Sequence, residues 1–116
     1  MRVLAVDTTT RCGSLAVAGP DGVLAEARVV TDGGHSRWLL SAAEALLGGL
    51  GIAAGAVDAF AVTTGPGSFT GLRVGLGSVQ GLAVASGRPC VGLSTLDVMA
   101  LSAAGSSGTI VALIDA

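Results

Sequence analysis

Apolar positions along this chain fall into two periods, and the switch between them marks out the elements. Val3–Val6 is a short β-type run ending on Asp7. Ser14–Ala18 and Val23–Val30 are two more. Turn-forming residues separate them: Thr8-Thr9-Thr10-Arg11-Cys12-Gly13 first, then Gly19-Pro20-Asp21-Gly22. Short connections of this kind predict an antiparallel meander. Glu26 and Arg28 share one face of the third run, as in a partly solvated edge strand. From Ser36 the period lengthens. Leu39, Leu40, Ala43, Leu46, Leu47 and Leu50 recur at i, i+1, i+4, i+7, i+8 and i+11, a helical pattern weakened at its end by Gly48, Gly49 and Gly51.

The second half alternates strands and helices. Val57–Thr64 is apolar enough for a strand buried on both faces. Gly65-Pro66-Gly67 turns the chain into a second helix that runs to about Ser86, where Gly87-Arg88-Pro89 stops it. Cys90–Leu93 reads as a fifth strand, Ser94 as the cap of a third helix from Thr95 to about Ala104, and Thr109–Asp115 as a further strand. The order βββαβαβαβ implies an α/β fold, a mixed sheet with helices on its faces. Because the last run ends abruptly at Asp115-Ala116, residues 1–106 are expected to form one lobe and 107–116 the strand leading into a second.

Composition narrows the function. The 116 residues are enough for one domain, 51% of them are hydrophobic, and only two Phe and one Trp are aromatic, so no base-stacking platform is evident. Net charge is −2, and the six basic residues, all Arg, are scattered, which argues against direct, tight nucleic-acid binding. Cys12 and Cys90 sit far apart in apolar runs and are expected to be reduced and structural. The start meets Asp7 too soon for a signal peptide. The uncharged stretch Val98–Ile114 is split by Gly105 and Gly108, so no membrane span is predicted and the default location is cytoplasmic.

The second helix carries Gly71, Gly75, Gly77 and Gly81. Each Gly costs a helix interior about 1 kcal/mol relative to Ala, so a packing need must offset them. Arg73 and Gln80, seven apart, share one face, while Gly71, Gly75 and Ser78 form a small-residue stripe. That stripe reads either as contact with the protein's own sheet or as the seat of a partner helix; on the second reading Gly75→Leu is expected to break association and spare the fold. The strand-to-helix turn Gly65-Pro66-Gly67 with Ser68 and Thr70 could face a phosphate, although it lacks the P-loop lysine, or could simply be a tight turn with a hydroxyl cap. Asp7, beside Thr8, Thr9 and Thr10, could form an Asx-turn. His35, the single histidine, is expected half-exposed before the first helix. One His and two distant Cys cannot build a metal site, and no nucleophile–base spacing is present, so neither a metal ligand set nor a catalytic residue is assigned.

Leu4-Ala5-Val6-Asp7-Thr8-Thr9, His35-Ser36-Arg37, Thr64-Gly65-Pro66-Gly67-Ser68-Phe69-Thr70-Gly71-Leu72-Arg73 and Val91-Gly92-Leu93-Ser94-Thr95-Leu96 occur in an order that resembles the amino-terminal lobe of the TsaB (YeaZ) family of tRNA threonylcarbamoyladenosine biosynthesis proteins. The resemblance covers nearly the whole chain. It implies an actin/Hsp70/sugar-kinase-like (ribonuclease H-like) lobe with five mixed strands. It also implies a non-catalytic subunit that dimerises with, scaffolds and activates the TsaD-like transferase adding threonylcarbamoyl to adenosine 37 of tRNA. A TsaE-like ATPase would join them, ATP and metal would belong to the partner subunits with no cofactor in this chain, and tRNA would be met only indirectly. Alone, the chain would be a homodimer. The first two helices would form the contact, through Trp38, Leu39, Ala43 and Leu47 on one and Gly71, Arg73, Val74, Gly75 and Ser78 on the other. The alternative is an ATP-binding sugar-kinase- or ATPase-like lobe using the Asp7 and glycine turns; the likeness to such folds implies that the turn at Asp7 and Thr8 would face nucleotide phosphates.

Overall fold

The computed structural model describes residues 1–32, 34–103, 105, 108–109 and 111–112. Among these residues, five strands and three helices follow one another as β1 (Val3–Asp7), β2 (Cys12–Gly19), β3 (Gly22–Val30), α1 (Leu39–Gly49), β4 (Ala59–Thr63), α2 (Phe69–Ser86), β5 (Cys90–Leu93) and α3 (Thr95–Ser102), with one turn of 3-10 helix at Ala54–Ala56. The further strand expected at 109–115 falls largely on residues outside those described.

The strands lie in the order β3-β2-β1-β4-β5. β1 and β2 are antiparallel, Asp7 opposite Ser14, and β2 and β3 continue the meander through a two-residue link at Pro20-Asp21. Gly22, the first residue of β3, has φ +125°, a conformation that L side chains rarely adopt. β1 then pairs in parallel with β4, and β4 in parallel with β5. This placement makes β3 an edge strand, as its Glu26 and Arg28 indicated, and puts β4 inside the sheet, where all five of its residues are buried.

Alternation along the strands sends Leu4, Val6, Leu15, Val17, Phe60 and Val62 to one face. There they pack with Leu39, Ala43 and Leu47 of α1 and with Val79 and Ala83 of α2 in one core. Ala5, Asp7, Ser14, Ala16, Ala61 and Thr63 line a cleft of about 180 Å³ on the opposite face, bordered by Val98 of α3. α2 begins at Ser68, whose hydroxyl accepts the Gly71 N–H at 3.2 Å, and ends at Gly87, which takes the left-handed conformation (φ +68°). Ser94 stands at the N-cap of α3 without a side-chain cap bond, contrary to its expected role. The cysteines also depart from expectation. Both are free, but both are exposed, because Cys12 opens β2 and Cys90 opens the edge strand β5, so neither fills the core.

Candidate partner interface

The turn after β1 is held from four sides. Asp7 Oδ1 accepts from Thr9 N at 3.0 Å, Thr9 Oγ1 at 2.6 Å and Thr63 Oγ1 of β4 at 3.0 Å. The first of these bonds is the Asx-turn geometry that the sequence offered. Thr8 Oγ1 donates to the Gly71 carbonyl at 2.6 Å, Ser68 N donates to the Thr9 carbonyl at 2.8 Å, and His35 Nε2 meets the Thr10 carbonyl at 2.6 Å. Of the residues considered for a phosphate, Asp7, Thr8 and Ser68 therefore spend side-chain oxygens on the fold. Gly65, joined to Pro66 by a cis peptide bond, accepts Thr95 N at 2.9 Å. Gly67 lies so near the turn that a Cβ there would come 2.5 Å from Thr9 Cβ. Thr70 is exposed.

α2 has two glycine faces with opposite environments. Gly71 and Gly75 are buried, and a Cβ on either would run into Thr8, its carbonyl oxygen at Gly71 and its hydroxyl at Gly75. The close approach is thus between α2 and the protein's own β1. That corrects the expectation that Gly71 and Gly75 receive a foreign helix. Val74 packs against the same core, and Ser78 is half-buried. On α1, Leu39, Ala43 and Leu47 likewise turn inward and belong to the core, although Ala43 and Leu47 also line a groove between α1 and α2. Trp38 is half-buried beside the first turn.

The outward face of α2 is formed by Phe69, Arg73, Gly77, Gln80, Gly81 and Val84. A Cβ on Gly77 or Gly81 would meet nothing within 4 Å. Val84 is 82% and Phe69 74% exposed, and the Arg73 guanidinium lies 5.6 Å from the centre of the Phe69 ring. Of the expected contact residues, Arg73 therefore points outward. Phe69 and Val84 were missed by the sequence reading, which singled out Gly77 and Gly81 among the helix glycines but placed the small-residue stripe on Gly71, Gly75 and Ser78, although Arg73 and Gln80 already marked the outward face. Beside this strip, an apolar groove of about 690 Å³ runs between α1 and α2. It is lined by Leu40, Ala43, Leu47, Leu82 and Ala85, with Glu44 the one charged lining residue among those described.

His35 is buried, not half-exposed, because its ring is wanted on both sides: Nε2 faces the Thr10 carbonyl, and Nδ1 accepts from Trp38 Nε1 at 3.1 Å. Among the described residues no three of His, Cys, Asp and Glu gather where they could hold a metal ion. No helix among them is long and apolar enough to cross a membrane.

Comparison with known proteins places this geometry. Residues 26–116 match the family model of TsaD, tRNA N6-adenosine threonylcarbamoyltransferase. Over its whole length the chain is 37% identical to the tRNA threonylcarbamoyladenosine biosynthesis protein TsaB of Escherichia coli, covering 51% of that protein. Its structure superposes on YeaZ from Pseudomonas aeruginosa with a TM-score of 0.82 and 40% identity, over 88% of this chain and 47% of that one. The chain belongs to the TsaB (YeaZ) family. It spans about half the length of the curated relatives it matches. The same fold recurs in Thermus thermophilus RuvC, at a TM-score of 0.59 and 20% identity over 93% of this chain and 73% of that one. The five-stranded mixed sheet with flanking helices is thus a ribonuclease H-like lobe of the actin-like class, as the element order and the TsaB-family motifs implied.

Proposed function

We propose that this TsaB-family chain serves threonylcarbamoyladenosine biosynthesis on tRNA as a non-catalytic subunit that scaffolds and activates a TsaD-like transferase through helix-to-helix association. The observation that carries the reading is the bare strip on α2. Gly77 and Gly81 stand uncovered between the exposed side chains of Phe69, Arg73 and Val84, next to the apolar α1–α2 groove. Two glycines on a solvent-facing helix surface weaken the helix with no return inside the chain. A second helix seated there would use the close approach they allow, with Phe69 and Arg73 as flanking anchors. The same strip would pair with its own copy when the chain is alone.

The lack of a catalytic role is supported by how the polar groups are used. Asp7, Thr8, Thr9 and the only histidine bond to other parts of the fold. In this reading the ATP and the metal belong to the TsaD-like and TsaE-like partners, tRNA is met only through them, and the complex works in the cytoplasm. The alternative, an ATP-binding kinase-like lobe, has less behind it, because the Asp7 carboxylate and the Thr8 hydroxyl it would use for phosphates are engaged.

The test is co-purification and sedimentation of the chain, alone and with the TsaD homologue of its own organism, as wild type and as Gly77→Leu and Val84→Arg. Both substitutions point into open space, so the fold is expected to survive while association falls at least tenfold. Variants that associate as wild type does would overturn the proposal. So would micromolar binding of ATP and Mg²⁺ by calorimetry, which would favour the kinase-like alternative.

A further inference from the structure

His35 and Trp38 are the only histidine and the only tryptophan of the chain, and they touch. Their rings meet edge-to-face, with centroids 5.3 Å apart and planes at 84°. The indole Nε1–H donates to Nδ1 of the imidazole at 3.1 Å, which makes Nδ1 an acceptor and leaves the proton on Nε2, where it is donated to the Thr10 carbonyl at 2.6 Å. The neutral ring is therefore used at both nitrogens. Gly13 of β2 completes the seat, since a Cβ there would run into both rings. The main chain adds to the joint: Leu39 N and Trp38 N both donate to the His35 carbonyl, at 3.2 and 3.4 Å, so α1 starts from this residue. One side chain thus fastens the turn after β1 to the first turn of α1.

We infer that this pair is an acid-sensitive latch between the β1–β2 turn and α1. A second proton on the imidazole has to enter at Nδ1, where it would face the indole N–H: two donors, no acceptor. The bond to Trp38 is then lost while the Nε2 bond to Thr10 remains, so the ring stays with the turn and Trp38 is released with the start of α1. Arg11 of the β1–β2 turn and Asp32 of the segment before α1 line the cleft that His35 borders, and these two pair with each other. α2 brings Ser68, Thr70 and Gly71 to that cleft. Arg37 and Cys12, the titratable neighbours on the two joined segments, and Arg73 of α2 are exposed. The latch goes beyond the partner reading and is tested without any partner.

With one residue of each kind, the signals of both rings are unambiguous. Long-range proton–nitrogen NMR of the imidazole and fluorescence of the indole would be followed together from about pH 8 to about pH 5, the span in which an imidazole ordinarily titrates. The inference expects a single Nε2–H tautomer at the upper end. As the second proton binds, the indole N–H resonance and the fluorescence should shift in step while the core methyl signals stay in place. His35→Gln, which keeps a donor toward Thr10 but does not titrate, should show flat fluorescence. Should that variant fail to fold, Trp38→Phe serves in its place. It keeps the ring contact without the N–H, so the amide signals at the start of α1 should no longer move when the imidazole takes up its second proton. An Nδ1–H tautomer, a protonation that leaves the indole unchanged, or unfolding of the whole protein before the imidazole is protonated would each overturn the latch.

Discussion

The hydroxyl of Thr8 lies 2.6 Å from the carbonyl oxygen of Gly71 and donates to it, pinning the first turn of α2 against the end of β1. This bond needs the two backbones close together, and Gly71 and Gly75 make that possible by presenting no side chain to Thr8. The glycine signature of α2 is therefore an internal joint on one face of the helix. On the opposite face the same residue type lies open.

Gly71→Ala and Gly75→Ala should each destabilise the protein by about 1–3 kcal/mol, the range for forcing extra volume into a packed site. Gly77→Ala and Gly81→Ala should instead stabilise it by up to about 1 kcal/mol, because only helix propensity changes where the new methyl has room. Urea unfolding of the four variants separates the faces. Equal effects on both would mean that α2 does not sit on β1 as described.

Thr8→Val replaces the hydroxyl by a methyl of similar size. It should cost about 1 kcal/mol, the net value of one hydrogen bond, and Thr8→Ser should lose less because the bond to the Gly71 carbonyl is kept. Chemical denaturation, with amide hydrogen exchange in the first turn of α2, is the measurement.

Asp7→Ala removes an oxygen that accepts three hydrogen bonds, and a loss of about 2–4 kcal/mol is expected from summing about 1 kcal/mol each. Asp7→Asn keeps a carbonyl acceptor in the same place and should cost much less. A thermal melt of the two variants distinguishes a turn-forming role from a charge-dependent one, since only the latter requires the ionised carboxylate.

Leu4→Ala opens a cavity at a fully buried site and should cost about 2–5 kcal/mol. Leu101→Ala, on the exposed side of α3, should change stability by no more than about 0.5 kcal/mol. A large effect at Leu101 would show that α3 packs differently from its place here.

Much of the fold was legible in the sequence, for reasons that individual residues make plain. Leu4 and Val6 alternate with Ala5 and Asp7, and that period marks a strand with one buried face. Leu39, Ala43 and Leu47 recur at helical spacing and are the residues α1 buries. Gly87 stops α2, and Glu26 with Arg28 marks β3 as an edge. The Asx-turn at Asp7 was legible as well, because its partners lie two residues away. Distant partners were not. His35 reads as a surface residue until Thr10 and Trp38 are brought to its two nitrogens.

The same distinction governs the glycines of α2. Their number and spacing, and the helix that contains them, are fixed by the chain alone. Which of them face inward is not, because glycine has no side chain whose polarity could announce a direction. Turned by about 100° per residue, positions 71 and 75 come round to Thr8 and positions 77 and 81 to open space. Only the placement of β1 beneath the helix, a contact across more than sixty residues of chain, makes one pair a joint and leaves the other pair bare.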